Sequence, residues 1–167
     1  MKRAFCISTV LMVAMAAPAA AAWYANVDGP DVFGQTKVLA GEGSQRESII
    51  VQCNSKDELM LAFIERKKEF ADVAPAAATL LVQVDSGEPY RLDADYRSWN
   101  DNYAGIVASD RAAILPVINA IKGAKSKVNV GAELFGNQIS ASFGARGSTS
   151  AIQKVIDGCK LTAAPPT

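Results

Sequence analysis

Residues 47–70 read ESIIVQCNSKDELMLAFIERKKEF, and the conformation taken after Cys53 decides the fold. Glu47 to Cys53 is a short apolar run with the character of a strand. Two continuations compete. Ser55-Lys56-Asp57-Glu58 has the form of a helix capping box, and Leu59 to Phe70 contains good helix formers. Equally, Asn54-Ser55-Lys56-Asp57 can turn a hairpin that carries Leu59-Met60-Leu61-Ala62-Phe63-Ile64 back beside the first strand. Local propensity favours the helix.

Downstream the pattern is easier to read. Ala74 to Ala78 is a loop, and Thr79 to Val84 is a buried-strand run stopped by Asp85-Ser86-Gly87-Glu88-Pro89. Tyr90 to Trp99 alternates as a partner strand, and Tyr103 to Ala108 adds a short one. Asp110 to Lys122 places Ile114, Val117, Ile118 and Ile121 at helical spacing before Gly123. Pro116 predicts that regular helix starts near Leu115 rather than at Asp110. Lys127 to Phe135 and Gln138 to Phe143 alternate on either side of a Gly136-Asn137 turn, a β-hairpin. Ser148 is expected to cap a last helix in which Ile152, Val155, Ile156 and Cys159 recur at i, i+3, i+4 and i+7.

Upstream, Trp23 to Asp31 reads as irregular, with a turn at Asp28-Gly29-Pro30. Val32 to Ala40 has strand character, broken by Gly41-Glu42-Gly43-Ser44. The expected fold is α+β, mainly β: a twisted antiparallel sheet or β-sandwich with two short helices.

The chain starts Met1-Lys2-Arg3, runs apolar from Ala4 to Ala17, and reaches Pro18 and four alanines before Trp23. A basic start, a short apolar stretch and small residues form a secretory signal. The expected organisation is a removable signal peptide over 1–22, a single exported domain over 23–160 and a flexible tail over 161–167, located in the periplasm or secreted. The apolar run is shorter than the roughly 20 residues a spanning helix needs, so stable membrane insertion is not expected. Taking Lys2 and Arg3 from the 17 basic residues leaves 15 against 17 acidic, a formal charge of −2. With no long basic block, a nucleic-acid partner is not expected. Of three cysteines, Cys6 falls in the signal, leaving Cys53 and Cys159. An even pair in an oxidising compartment implies a disulfide. The alternatives are a reactive thiol or a metal site, but the chain has no histidine to complete a metal's ligands.

The same absence removes the usual base for a serine nucleophile, and Ser150 and Lys154 do not have Ser-x-x-Lys spacing. Asp85, Glu88, Asp93, Asp95 and Asp101 form an acidic group that could in principle supply a glycosidase-like carboxylate pair, but solvated strand faces and turns are the ordinary explanation of surface acids and the one favoured. The segment from Asp93 to Trp99 lacks the glycine and closing glutamate of a standard calcium loop. Gly144-Ala145-Arg146-Gly147-Ser148 lacks the Lys-Ser/Thr ending of a phosphate loop. Tyr90, Arg91, Tyr96, Arg97, Trp99 and Tyr103 are residue types that binding surfaces favour, and are taken as a candidate binding patch, with core packing of some as the competing explanation. No metal and no cofactor are expected.

The residues in order are Trp23, a strand ending in Cys53, the run Leu59 to Phe63, then Val84-Asp85-Ser86-Gly87-Glu88-Pro89-Tyr90-Arg91-Leu92-Asp93 and Trp99. Next come the Ile114–Ile121 helix, a β-hairpin and Ser140 to Ser148, leading into the helix that ends at Cys159. This arrangement resembles the exported VasI-type family associated with type VI secretion and, more loosely, the invasion-associated locus B proteins. The resemblance implies a β-rich periplasmic domain with a disulfide and an accessory role at the cell envelope. It also favours the hairpin over the helix after Cys53, and the hairpin is expected. The function expected from these features is a non-catalytic periplasmic accessory or binding module that contacts an envelope protein or peptidoglycan. The competing expectations are a cell-wall hydrolase using paired carboxylates, and an inhibitor of a lysozyme-like enzyme presenting the Ser86–Tyr90 loop.

Overall fold

The computed structural model describes residues 22–56, 58–67 and 74–161. The expected signal peptide up to residue 21, Asp57, residues 68–73 and the tail after Leu161 lie outside the described residues. Among the described residues nine strands and two helices run in the order β1 (Tyr24–Asp28), β2 (Lys37–Gly43), β3 (Glu47–Asn54), β4 (Leu59–Arg66), β5 (Ala76–Val84), β6 (Tyr90–Ser98), β7 (Tyr103–Ala108), α1 (Arg111–Gly123), β8 (Lys127–Leu134), β9 (Asn137–Gly144) and α2 (Ser148–Gly158). All strand pairs are antiparallel, and the order across the single curled sheet is β1-β2-β3-β4-β7-β6-β5-β8-β9. The mainly β architecture with two helices is the one the alternation pattern predicts.

The stretch after Cys53 is a hairpin, with Cys53 opposite Leu59 and Ile49 opposite Phe63. Its capping-box residues do other work. Asn54 Oδ1 accepts the Lys56 and Glu58 N–H groups at 2.9 and 3.2 Å, its amide donates to Glu58 Oε2, and Ser55 Oγ accepts from Thr36 N–H at 3.1 Å. Leu59, Leu61 and Phe63 face the main core while Ala62 and Ile64 are buried on the other face. Alternate residues of a strand point to opposite faces, so an unbroken apolar run suits a strand buried on both. Tertiary packing therefore overrides the helical propensity of the segment.

Element boundaries differ from the sequence reading in several places. β5 starts at Ala76, inside the stretch 74–78 expected to be a loop, because Ala76 to Ala78 pair with Tyr96 to Ala94 of β6. Residues 24–28, expected to be irregular, form β1, paired along its length with β2. β2 starts at Lys37, not Val32, and continues through Gly41-Glu42-Gly43 instead of breaking there. A Cβ on Gly41 would meet the Ile49 carbonyl oxygen at 2.7 Å, so this glycine permits close approach of two strands. α1 starts at Arg111, five residues before Pro116, because Asp110 accepts the Ala112 N–H at 2.9 Å and Ile114 is already fully buried. Pro116 lies on the exposed side of that helix. The β8–β9 turn is Phe135-Gly136, with φ of 52° and 76°, the two left-handed residues of a type I′ hairpin, and Asn137 already belongs to β9.

Ser148 also departs from expectation. Gly147 (φ 83°) is the residue before the helix, no side chain caps it, and Ser148 is the first helical residue with its hydroxyl buried and unpaired among the described residues. Trp23 explains the glycine, since its carbonyl oxygen would lie 3.0 Å from a Cβ at position 147. Thr149 instead serves the other helix, donating from Oγ1 to the Lys122 carbonyl at 2.8 Å.

The inner face of the sheet and the apolar sides of α1 and α2 share one core. Val38, Ile49, Val51, Leu61, Phe63, Leu80, Val82, Ile106, Val128 and Val130 meet Ile114, Ile118, Ile121, Ile152 and Val155 there. The sheet curls far enough for the Phe63 and Phe143 rings to meet edge to face at 6.3 Å. Cys53 on β3 is disulfide-bonded to Cys159 just beyond α2, closing a loop of sequence separation 106. Among the described residues no helix is long and apolar enough to cross a membrane. On the chain-entropy argument a bridge over about 100 residues stabilises by up to about 4.7 kcal/mol. Replacing both cysteines by alanine is expected to cost about 2–5 kcal/mol in urea unfolding and to steepen the denaturant slope, because the unbridged unfolded chain exposes more surface; loss of less than about 1 kcal/mol would show that core packing alone holds α2 on the sheet.

Candidate functional site

The six residues of the aromatic–arginine group do not form one surface. Tyr90 and Tyr96 take the inner face of β6, where Tyr96 packs half-buried against the main core. Arg91 and Arg97, each next in sequence, point to the outer face. Arg91 is bound there by Glu133 at 3.0 Å and Thr79 at 3.2 Å. Arg97 approaches the Met60 sulfur at 3.3 Å. Trp99 and Tyr103 cover a second, small apolar cluster of Ile50, Ala62, Ile64 and Val107, joined by Leu39 and Met60. Tyr103 then donates its hydroxyl to the Gln45 carbonyl at 3.0 Å, tying the β6–β7 turn to the β2–β3 turn. Packing thus accounts for Tyr96, Trp99 and Tyr103, and a common patch is not assembled.

The acidic group is spread as well. Asp85 and Glu88 lie in the β5–β6 turn, Asp101 in the β6–β7 turn at the other end of β6, and Asp93 and Asp95 side by side on the outer face of β6. Asp85 is structural. It accepts from the N–H groups of Lys125, Ser126 and Lys127 and from Ser126 Oγ, at 2.8 to 3.1 Å, and so fastens the α1–β8 connection. Those hydrogen bonds, the Lys125 N–H first, hold its carboxyl far below the usual carboxylate range. Such a group neither donates nor takes a proton near neutrality. The Ser86–Tyr90 loop is exposed and closed by Gly87 N–H to the Val84 carbonyl at 3.0 Å. Among the described residues no three of Cys, Asp and Glu gather to hold a metal ion.

The loop Gly144 to Ser148 has its polar groups taken internally. Gly144 is the last residue of β9, and its outward-facing carbonyl accepts Trp23 Nε1–H at 2.8 Å. The Trp23 backbone N–H donates to the Arg146 carbonyl at 2.9 Å, and the Gly144 N–H donates to the Glu42 carboxylate. Trp23 and Glu42 occupy matching inner positions beside the β1–β2 ladder, so together they join the first two strands to the last one. No strand ladder closes the sheet at this seam among the described residues; two side chains and one backbone bond do.

Glu42 is the residue that reading by motif passes over. It is 4 % exposed, and its Oε2 has no hydrogen-bond partner among the described residues. Burial pushes its carboxyl above the ordinary value, against the smaller opposing pull of the Gly144 N–H. Its only sequence signal is a single acid between two glycines, in a segment that reads as a break.

Two further features are exposed where exposure is costly. Val32 and Phe33, expected inside a strand, sit in the β1–β2 loop at 93 % and 81 % exposure. Asp31 holds that loop rigidly: its Oδ1 accepts the Phe33 and Gln35 N–H groups at 2.8 Å each, and its backbone N–H and carbonyl bond to Gln35 and Gly34. Phe135 at the β8–β9 turn is 75 % exposed.

For Glu42, a raised folded-state pKa means that its stabilising contribution is complete below the unfolded value of about 4.5 and is lost as pH rises through the folded value. Glu42→Gln, which keeps shape and loses the charge, is expected to flatten the decline in melting temperature above about pH 4.5 and to match or exceed the parent near pH 7. A steeper decline in the variant would exclude the buried-acid account. Asp85 has the opposite sign: its contribution is present above the usual carboxylate pKa and lost on acidification. Asp85→Asn is therefore expected to be less stable near pH 7 and to close the gap with the parent as pH falls, as followed by circular dichroism.

No family model, no curated protein and no solved structure matches this chain.

Proposed function

We propose that this protein is a non-catalytic accessory or binding module of the bacterial cell envelope, acting in the periplasm through contact with an envelope protein. One observation carries the reading: Val32 and Phe33 stand almost fully in solvent on a loop whose backbone is locked by Asp31. Apolar side chains held in water on an ordered loop gain free energy when a partner covers them, and pre-ordering lowers the entropy cost of doing so. An apolar tip fits a protein better than peptidoglycan, whose sugars present polar groups. A disulfide between Cys53 and Cys159 suits an oxidising compartment, and the signal-like first 22 residues support delivery there. The resemblance to the VasI-type family supports an accessory role beside a secretion system.

The test is a pulldown of the tagged protein, expressed with its own N-terminus, from envelope extract, run beside sedimentation with purified peptidoglycan. One envelope protein is expected to be recovered by the parent and lost at least about tenfold with Phe33→Ser, a loss of about 1.4 kcal/mol that one interface aromatic readily supplies. Because the ring is solvated in the free protein, melting temperature should not fall. Recovery unchanged in Phe33→Ser, or co-sedimentation with peptidoglycan alone, would overturn the assignment of the partner class.

A further inference from the structure

The two ends of the sheet differ. β1 is flanked by α2 and followed by Gly29-Pro30, and its leading end is tied to Arg146. β9 is bare. Its odd-numbered residues face β8, as the Ala145 N–H to Ser126 bond continues to show, and the even ones face away. Gly144 is satisfied by Trp23 and Glu42. The outward backbone groups of Gln138, Ser140 and Ser142 have no partner among the described residues. Proteins usually protect such an edge with a charge, a proline, a bulge or a covering element. Among the described residues β9 has none of these: from Asn137 to Ala145 the sequence NQISASFGA carries no charge and no proline, and no element lies along its outward side from Gln138 to Ser142.

We propose that β9 is a self-association edge, and that its occupant is β9 of a second copy of this chain, paired antiparallel about a two-fold axis at Ser140. Three features select a second copy. The free residues are symmetric about Ser140, so pairing Gln138 with Ser142 and Ser140 with its own equivalent uses all three and stops short of the occupied Gly144. The uncharged strand sets no like charges opposite one another, which self-pairing of a charged edge would do. On the inner face, half-buried Ile139 and Ala141 become cross-strand neighbours, extending the core across the axis.

Phe135 fits the same register. A bulky residue at φ 52° is an unusual choice for a type I′ turn, where asparagine or glycine is favoured. In this pairing Phe135 stands level with Ala145 of the second copy, next to Gly144 and the Trp23 indole that donates to the Gly144 carbonyl. The exposed ring gains a surface to cover, which offsets its backbone strain.

The experiment is sedimentation velocity of the purified protein over a concentration series, with four samples beside the parent. Ser140→Lys and Ser140→Asp each place like charges on the axis and should weaken self-association about fivefold or more. An equimolar mixture of the two should recover a heterodimer, because opposite charges then meet at one point. Phe135→Asn should raise melting temperature, since asparagine accepts the left-handed backbone, yet weaken the dimer. A parent that stays monomeric throughout, lysine and aspartate variants that associate as tightly as the parent, or a mixture that remains monomeric would each overturn the two-fold at Ser140. A monomer would leave the edge open to a strand of another protein and would not touch the reading of the Phe33 loop, which rests on different residues.

Discussion

The inner row of apolar side chains is the constraint on which the rest of this structure depends. Every strand from β2 to β9 sends alternate apolar residues to one side, and two amphipathic helices cannot cover a flat sheet of nine strands. Curling brings Phe63 on β4 within ring contact of Phe143 on β9, so the sheet covers part of its own inner face and α1 and α2 cover the remainder. The disulfide then secures the helix that comes after the last strand to a strand near the start of the sheet. Each of these features answers the same need to remove one continuous apolar surface from water.

Curling brings the two edges of the sheet together without making them pair. The tilt that strands adopt on closing leaves the ends offset, and only the last residues of β9 come within reach of β1 and β2. Trp23 and Glu42 bridge that gap as side chains, one donating to Gly144 and one accepting from it. A glutamate buried there with one free oxygen is a poor source of stability in its ionised form, because desolvation opposes the charge. Its value lies in satisfying the Gly144 N–H at a point where no strand does. Ser148, buried with an unpaired hydroxyl a few residues further on, marks the same crowded junction between β9, α2 and the start of β1. Closure by side chains also explains why the outward edge of β9 stays open from Gln138 to Ser142.

Strand alternation makes most of the architecture legible in the sequence. The hairpins at 79–98 and 127–143, both helices and the candidate cysteine pair are all periodicity or parity signals. The departures have a common physical source, which is that local signals report local cost. Gly41 and Gly43 look like a break because glycine is costly within a strand, but close approach to β3 requires at least the first of them. Pro116 looks like a helix start because it lacks an N–H, yet the Asp110 cap and burial of Ile114 begin the helix before it. Ser148 looks like a cap, whereas Trp23, at the far end of the domain's sequence, makes the glycine before it the boundary. None of these outcomes is encoded within a short window of sequence.

Site residues are harder to read than fold for the same reason. The aromatic–arginine residues are grouped by closeness in sequence, but on a strand the next residue is on the opposite face, so Tyr90 parts from Arg91 and Tyr96 from Arg97. Sequence neighbours make a common surface only in turns, and it is in turns that this structure exposes its most solvated apolar side chains, Val32, Phe33 and Phe135, ahead of the half-exposed Tyr24 and Val27 on β1. The first two are hidden in the sequence because an apolar pair beside Lys37 to Ala40 reads as more of the same strand. What distinguishes them is Asp31, whose side chain folds the chain into a closed loop before the strand begins. An aspartate two residues before an aromatic and three before Gly34 is a turn signal, and weighed against the strand propensity of Val32 and Phe33 it places both in water. A residue that propensity places in a strand and turn chemistry removes from one has no core to enter, and its hydrophobicity is then available to a partner.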